Sequence, residues 1–155
     1  MSKFVLVAAA LLPAMILANV NFRQCPNRAP VPTALTVNDC IGDSCILIAR
    51  QPLYAVASGV LSRYTSKTAT TRVVSRFLGL DTGYRLPREY TDACKGGISG
   101  GCPVYLGETY NFTLAIDDLV VPDLNIPVEV EVSVRGDKGV VLGCVRFKAK
   151  VVKSD

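Results

Sequence analysis

"VEVEVSVRGDKGVVLGCVRFKAKVV", residues 128–152, decides the fold. Val128, Val130, Val132 and Val134 alternate with Glu129, Glu131, Ser133 and Arg135. Val145, Phe147, Ala149 and Val151 alternate with Arg146, Lys148 and Lys150. A period of two sends successive side chains to opposite faces, so both runs read as strands with one dry and one wet face. Between them, "RGDKG" (135–139) reads as the turn of a hairpin. It contains Arg-Gly-Asp, a tripeptide known for integrin recognition. Gly136 and Gly139 already have a physical reason to stand at a strand reversal, and the motif is read as a turn.

The same alternation recurs upstream. "TYNFTLAID" (109–117) sets Tyr110, Phe112, Leu114 and Ile116 on one face and Asn111, Thr113, Ala115 and Asp117 on the other. "LYAVASGV" (53–60) and "TTRVVSRFLGL" (70–80) are further strand candidates, and Ile46 to Ile48 adds a short one. Nothing looks like a long amphipathic helix, an internal repeat or a linker. Strands separated by turns at this length predict an all-β fold, a sandwich of two antiparallel sheets. Periodicity alone does not distinguish a filled core from a hollow one, and a packed core is the ordinary outcome.

The start of the chain reads as a secretory signal over residues 1–18. Lys3 is followed by an apolar run from Phe4 to Leu12, and Ala14 to Ala18 leads to the cut. The apolar stretch is shorter than the roughly 20 residues of a membrane span. One domain is then expected over residues 19–155. It carries six cysteines, an even count that in a secreted chain favours three disulfides.

Several chemistries are excluded by inventory. The chain has no histidine, so Ser-His-Asp and Cys-His arrangements are impossible. Asp117 and Asp118 are adjacent, and neighbours along a strand face opposite ways, which is poor geometry for shared acid–base work. No catalytic residue is assigned, and the protein is not expected to be an enzyme. Without histidine or a CxxC pair, no metal site is expected, and no cofactor either. "CKGGISGGC" (94–102) is glycine-rich, but Lys95 precedes its glycines, unlike a phosphate-binding loop. A local Cys94–Cys102 disulfide is the best reading, with glycine letting the short loop close. The net charge of +4 is spread without a dense basic run, so no nucleic-acid partner is expected. Asn111-Phe112-Thr113 is a sequon, which makes Asn111 a candidate glycosylation site on the outward phase.

The cysteine frame resembles that of the ML (MD-2-related lipid-recognition) domain, as in Niemann–Pick type C-2 proteins and group 2 mite allergens. The resemblance runs from "FRQC" (22–25) through "DCIGDSC" (39–45), "QPLYAV" (51–56), "YRLP" (84–87), "DACKGGISGGCP" (92–103) and "GETYNFTL" (107–114) to residues 128–152. It implies the pairing Cys25–Cys144, Cys40–Cys45 and Cys94–Cys102. It also implies an immunoglobulin-like sandwich whose sheets part around an apolar ligand, which overrides the filled-core expectation.

Under that resemblance, the cavity is expected to be lined by the inward set Tyr54, Val56, Val60, Phe77, Leu80, Tyr110, Phe112, Leu114, Val128, Val130, Val132, Val145 and Phe147. Tyr84, Leu86 and Pro87 match one side of the mouth, and Val121 and Pro122 the other. The chain has no tryptophan, and Val130 and Val145 stand where some vertebrate members carry one. A slim aliphatic lining suits a flexible or elongated ligand as much as a rigid sterol. The implied function is a secreted, monomeric carrier of a fatty acid, sterol or semiochemical-like lipid, extracellular or endosomal–lysosomal. Transient contact with a membrane or receptor is implied as well. The rival implication is an adaptor that presents lipid to a receptor.

Overall fold

The structure is a computed structural model that describes residues 19–38, 40–122 and 125–155. The expected signal over residues 1–18 lies outside the described residues. The strands are β1 (Arg23–Gln24), β2 (Ala34–Val37), β3 (Cys40–Ile41), β4 (Ser44–Ile48), β5 (Leu53–Leu61), β6 (Thr70–Phe77), β7 (Leu80–Asp81), β8 (Thr109–Ile116), β9 (Ile126–Arg135) and β10 (Val141–Val152). The only helical segments among the described residues are two single 3-10 turns, Arg88–Tyr90 and Asp137–Gly139.

Two sheets result. The larger runs β3-β4-β10-β9-β6-β7, with β1 also on β10, and the smaller runs β2-β5-β8. The alternating β9 and β10 pair antiparallel, with Val145 opposite Val132 and Phe147 opposite Val130. Their dry faces combine into one apolar surface, and the facing surface comes from β5 and β8. One pairing departs from the antiparallel expectation: β4 runs parallel to β10, Ile46 opposite Lys150. Between them the chain crosses to the small sheet twice, at β5 and at β8. β2 went unread in the sequence because it is only four residues long.

The wet face of the large sheet carries a charge ladder. Arg146 Nε donates to Glu131 at 2.6 Å, and Arg76 Nη1 donates to the same oxygen at 3.0 Å. Glu129 accepts from Arg146 and from Arg23. Partial burial works to raise the Glu131 pKa, but the hydrogen bonds from Arg146 and Arg76 outweigh it and hold the carboxyl below its ordinary range.

Three disulfides pair as the resemblance implies: Cys25–Cys144, Cys40–Cys45 and Cys94–Cys102. The Cys94–Cys102 loop guards an edge. β8 ladders only with β5, and its other side meets the loop: Thr113 N–H donates to Gly97 O at 2.7 Å and Ser99 N–H to Asn111 O at 3.0 Å. An unpaired strand edge invites association with another chain, and the staple occupies it. Gly97 is required by closeness, since a Cβ there would sit 2.8 Å from the Ala93 carbonyl oxygen.

The Arg-Gly-Asp turn is built into the fold. The Asp137 carboxylate accepts from Thr68 Oγ1 at 2.6 Å, Lys67 N–H at 2.9 Å and Thr68 N–H at 3.2 Å. Its own N–H donates to Ser66 Oγ at 2.8 Å. The turn therefore clamps the segment before β6 and has no free carboxylate to present. The Thr68 hydroxyl and the Lys67 N–H hold the Asp137 carboxyl below its usual range. A depressed native carboxyl contributes stability above its unfolded value of about 3.9, lost as pH falls through the native value. Asp137→Ala is expected to lower Tm by a few degrees near neutral pH, with the gap to wild type closing in acid. Thermal melts across pH check this, and a gap that stays constant with pH contradicts the clamp.

Candidate functional site

Between the sheets lies a cavity of about 110 Å³. Its floor on the large sheet is Val128, Val130 and Val132 of β9 with Val145, Phe147 and Val151 of β10. The opposite wall is Leu53, Ala55 and Ala57 of β5 with Phe112, Leu114 and Ile116 of β8. Leu35, Val37 and Leu47 close one side. Thr82, Tyr84, Leu119, Val121, Pro122 and Ile126 continue the lining, and Val73 and Ser75 of β6 complete it. Among the described residues, no lysine, arginine, aspartate or glutamate lines the cavity.

Ten of the residues expected from sequence therefore stand on this wall: Tyr84, Phe112, Leu114, Val121, Pro122, Val128, Val130, Val132, Val145 and Phe147. The remaining eight do not. On β5 the expected phase is inverted. Tyr54 is 55 % exposed, and Val56 shares its outer face. A bulge between Ala57 and Val60, with Gly59 at φ +69, inserts an extra residue. Val60 is buried, but counting back from it across the bulge turns Tyr54 and Val56 inward by mistake.

Phe77 and Leu80 sit at the tip of the β6–β7 hairpin, where Phe77 faces the outer groove and Leu80 is 74 % exposed. The chain reverses at Leu78–Gly79, so "TTRVVSRFLGL" is not one strand and its inward set ends at Val73 and Ser75. Leu86 packs against the core beside the cavity, and exposed Pro87 begins the Arg88–Tyr90 turn. Tyr110 is buried at the far end of β8, opposite Val60, off the cavity wall. Burial pushes its phenol well above the usual tyrosine range, and its hydroxyl has no hydrogen-bond partner among the described residues.

The sequence reading left out part of the wall. Ile116 and Val151 were read on the inward faces of their strands but were not carried into the expected lining. Leu35, Val37 and Leu53 belong to a wall contributed by β2 and the first turn of pleat in β5, where short length and the bulge hid the period. Outside the cavity, Asn111 keeps the outward phase expected of it. It is exposed, and its Oδ1 accepts from Gly59 N–H at 3.0 Å. Asp117 and Asp118 follow the end of β8, and Asp118 pairs with Arg50 at 2.8 Å.

This arrangement offers apolar surface and space, and the described residues bring no charged group to the wall. Comparison with known proteins decides the family: the ML domain model matches residues 19–151. The chain belongs to the ML domain family. A mite group 2 allergen, Gly d 2.02 of Glycyphagus domesticus, is 33 % identical over 121 residues, covering 77 % of this chain and 89 % of that protein. The crystal structure of a Niemann-Pick type C2 protein from Japanese carpenter ant superposes with a TM-score of 0.70 at 16 % identity. The match spans 84 % of this chain and 98 % of the ant protein, and shows a shared fold. ML domain proteins bind lipids and are not enzymes, and this chain has an apolar cavity between its two sheets. No helix among the described residues is long and apolar enough to cross a membrane.

Proposed function

We propose that this ML domain protein is a secreted carrier, extracellular or lysosomal, that holds one small lipid between its sheets and transfers it. The carrying observation is the uncharged cavity of about 110 Å³ walled by both sheets. Burying each methylene contributes roughly 0.8 kcal/mol. A chain of about twelve carbons therefore supports micromolar affinity once ordering costs are subtracted. The volume is below the roughly 300–1,000 Å³ of drug-sized ligand sites, so uptake is expected to part the sheets at the mouth. A working unit of one chain fits this reading, because the β8 edge is already occupied by the stapled loop.

A second reading, contact of the mouth side with a membrane or receptor during handover, is favoured by Leu78 and Leu80. They are 86 % and 74 % exposed on the hairpin that leads to Thr82 and Tyr84. A glycan on Asn111 would stand on the outer face of the small sheet, clear of the cavity.

Native mass spectrometry of the secreted protein, followed by organic extraction, tests the carrier reading. A stoichiometric lipid released from the folded chain is the expected result. A chain that carries nothing and refuses a panel of fluorescent fatty acids and sterols overturns it.

A further inference from the structure

Among the described residues, only Ser75, Thr82 and Tyr84 bring a side-chain hydroxyl to the cavity lining, and they lie on neighbouring backbone. Ser75 lies on β6, and Thr82 follows β7 and donates its N–H to Ser75 O at 2.9 Å. Tyr84 stands two residues further on, half-buried. Among the described residues, none of these hydroxyls makes a hydrogen bond within the protein, although other hydroxyls at this sheet's margins do, such as Thr68 to Asp137. Three residues whose hydroxyls have no partner in the described protein thus share one sector of an otherwise apolar wall. Burial first, and then the neighbouring Tyr90, raise the Tyr84 phenol above its usual range, so it stays protonated and able to donate.

The guanidinium of Arg85, next to Tyr84 in sequence, is engaged elsewhere. Arg85 Nη1 donates to Tyr84 O at 2.8 Å and pairs with Asp81 at 3.5 Å on the solvent side. An ionised carboxylate drawn into the cavity would lose its water and meet no counter-charge, which is costly in a dry site. A neutral hydroxyl or carbonyl oxygen would exchange its water for the three hydroxyls at little cost.

We propose that the cavity selects lipids with a neutral, hydrogen-bonding head, such as an alcohol, aldehyde or ester, over ionised fatty acids, and that Ser75, Thr82 and Tyr84 receive that head. The proposal rests on the carrier reading of the same cavity and narrows its ligand class. Ligand choice then follows from what the wall omits as much as from what it offers. Aliphatic surface binds any chain alike, whereas a buried charge discriminates strongly.

The test is displacement of a fluorescent apolar probe from the full chain by dodecanol, methyl dodecanoate and dodecanoate at roughly pH 8, where the acid is ionised. The alcohol and the ester are expected to displace at about tenfold lower concentration than the acid, the order of a 1.4 kcal/mol difference. The combined variant Ser75→Ala, Thr82→Val, Tyr84→Phe is expected to lose about tenfold for dodecanol and far less for dodecane, as removal of net hydrogen bonds requires. Dodecanoate binding as tightly as dodecanol overturns the proposal while leaving the carrier reading intact. Equal losses for dodecanol and dodecane overturn the role of the hydroxyls. Failure of all four compounds to displace the probe overturns both readings together.

Discussion

Val132→Trp and Phe112→Trp are each expected to weaken lipid uptake by more than tenfold while the protein still folds. Both residues line the cavity from opposite sheets. An indole placed on either wall projects into a space of about 110 Å³ and leaves little of it for a ligand. Overpacking a full core costs about 1–3 kcal/mol. Here the added volume enters open space, so the loss of stability should fall at or below the lower end of that range. Tyr54→Trp serves as the control, because Tyr54 is exposed on the outer face of the same small sheet. Probe titration and thermal melts on the three variants decide the matter. Unchanged binding in both cavity variants would show that the wall is misassigned, and loss of binding in the Tyr54 variant would show that the phase of β5 is wrong.

Cys144→Ser is expected to cost more stability than the double change Cys94→Ser, Cys102→Ser. The Cys25–Cys144 bridge spans 119 residues of sequence, and Cys94–Cys102 spans 8. In the chain-entropy model the long closure contributes about 4–5 kcal/mol and the short one about 2–3 kcal/mol, although that model's entropic origin is disputed. Both cysteines of the long bridge are buried and tie β1 to β10 beside Ala29 and Val141. A difference of about 2 kcal/mol corresponds to roughly 4–8 °C in Tm for a domain of this size. Thermal melts under oxidising conditions read it directly. Equal losses would mean that the stapled loop, through its cover of the β8 edge, matters to stability as much as the long closure does.

The strands most readable in the sequence were those whose two faces meet different solvents. β8 alternates throughout, β9 over residues 126–131 and β10 over residues 145–152, where one face meets the cavity and the other meets water. Phe112, Val130 and Phe147, read as inward from that alternation, stand on the cavity wall. The errors came where a backbone device breaks the period. The bulge at Gly59 inverted Tyr54 and Val56, and the reversal at Leu78–Gly79 sent Phe77 and Leu80 outward. A single inserted residue flips every later side chain, and composition gives no warning of it.

By itself the sequence determined the period-two strands, the exclusion of histidine-dependent chemistry and, through its cysteine frame, the family. These properties are local or compositional, and each can be counted along the chain. The tertiary structure alone decided that Ser75, Thr82 and Tyr84 share one sector of the cavity. It alone decided that Asp137 of the Arg-Gly-Asp turn is spent on Lys67 and Thr68. It also set the loop 94–102 against the β8 edge. Each of these joins groups far apart in sequence or on different elements. Such meetings depend on how the two sheets pack and where the chain reverses, and no periodicity within a single strand records that.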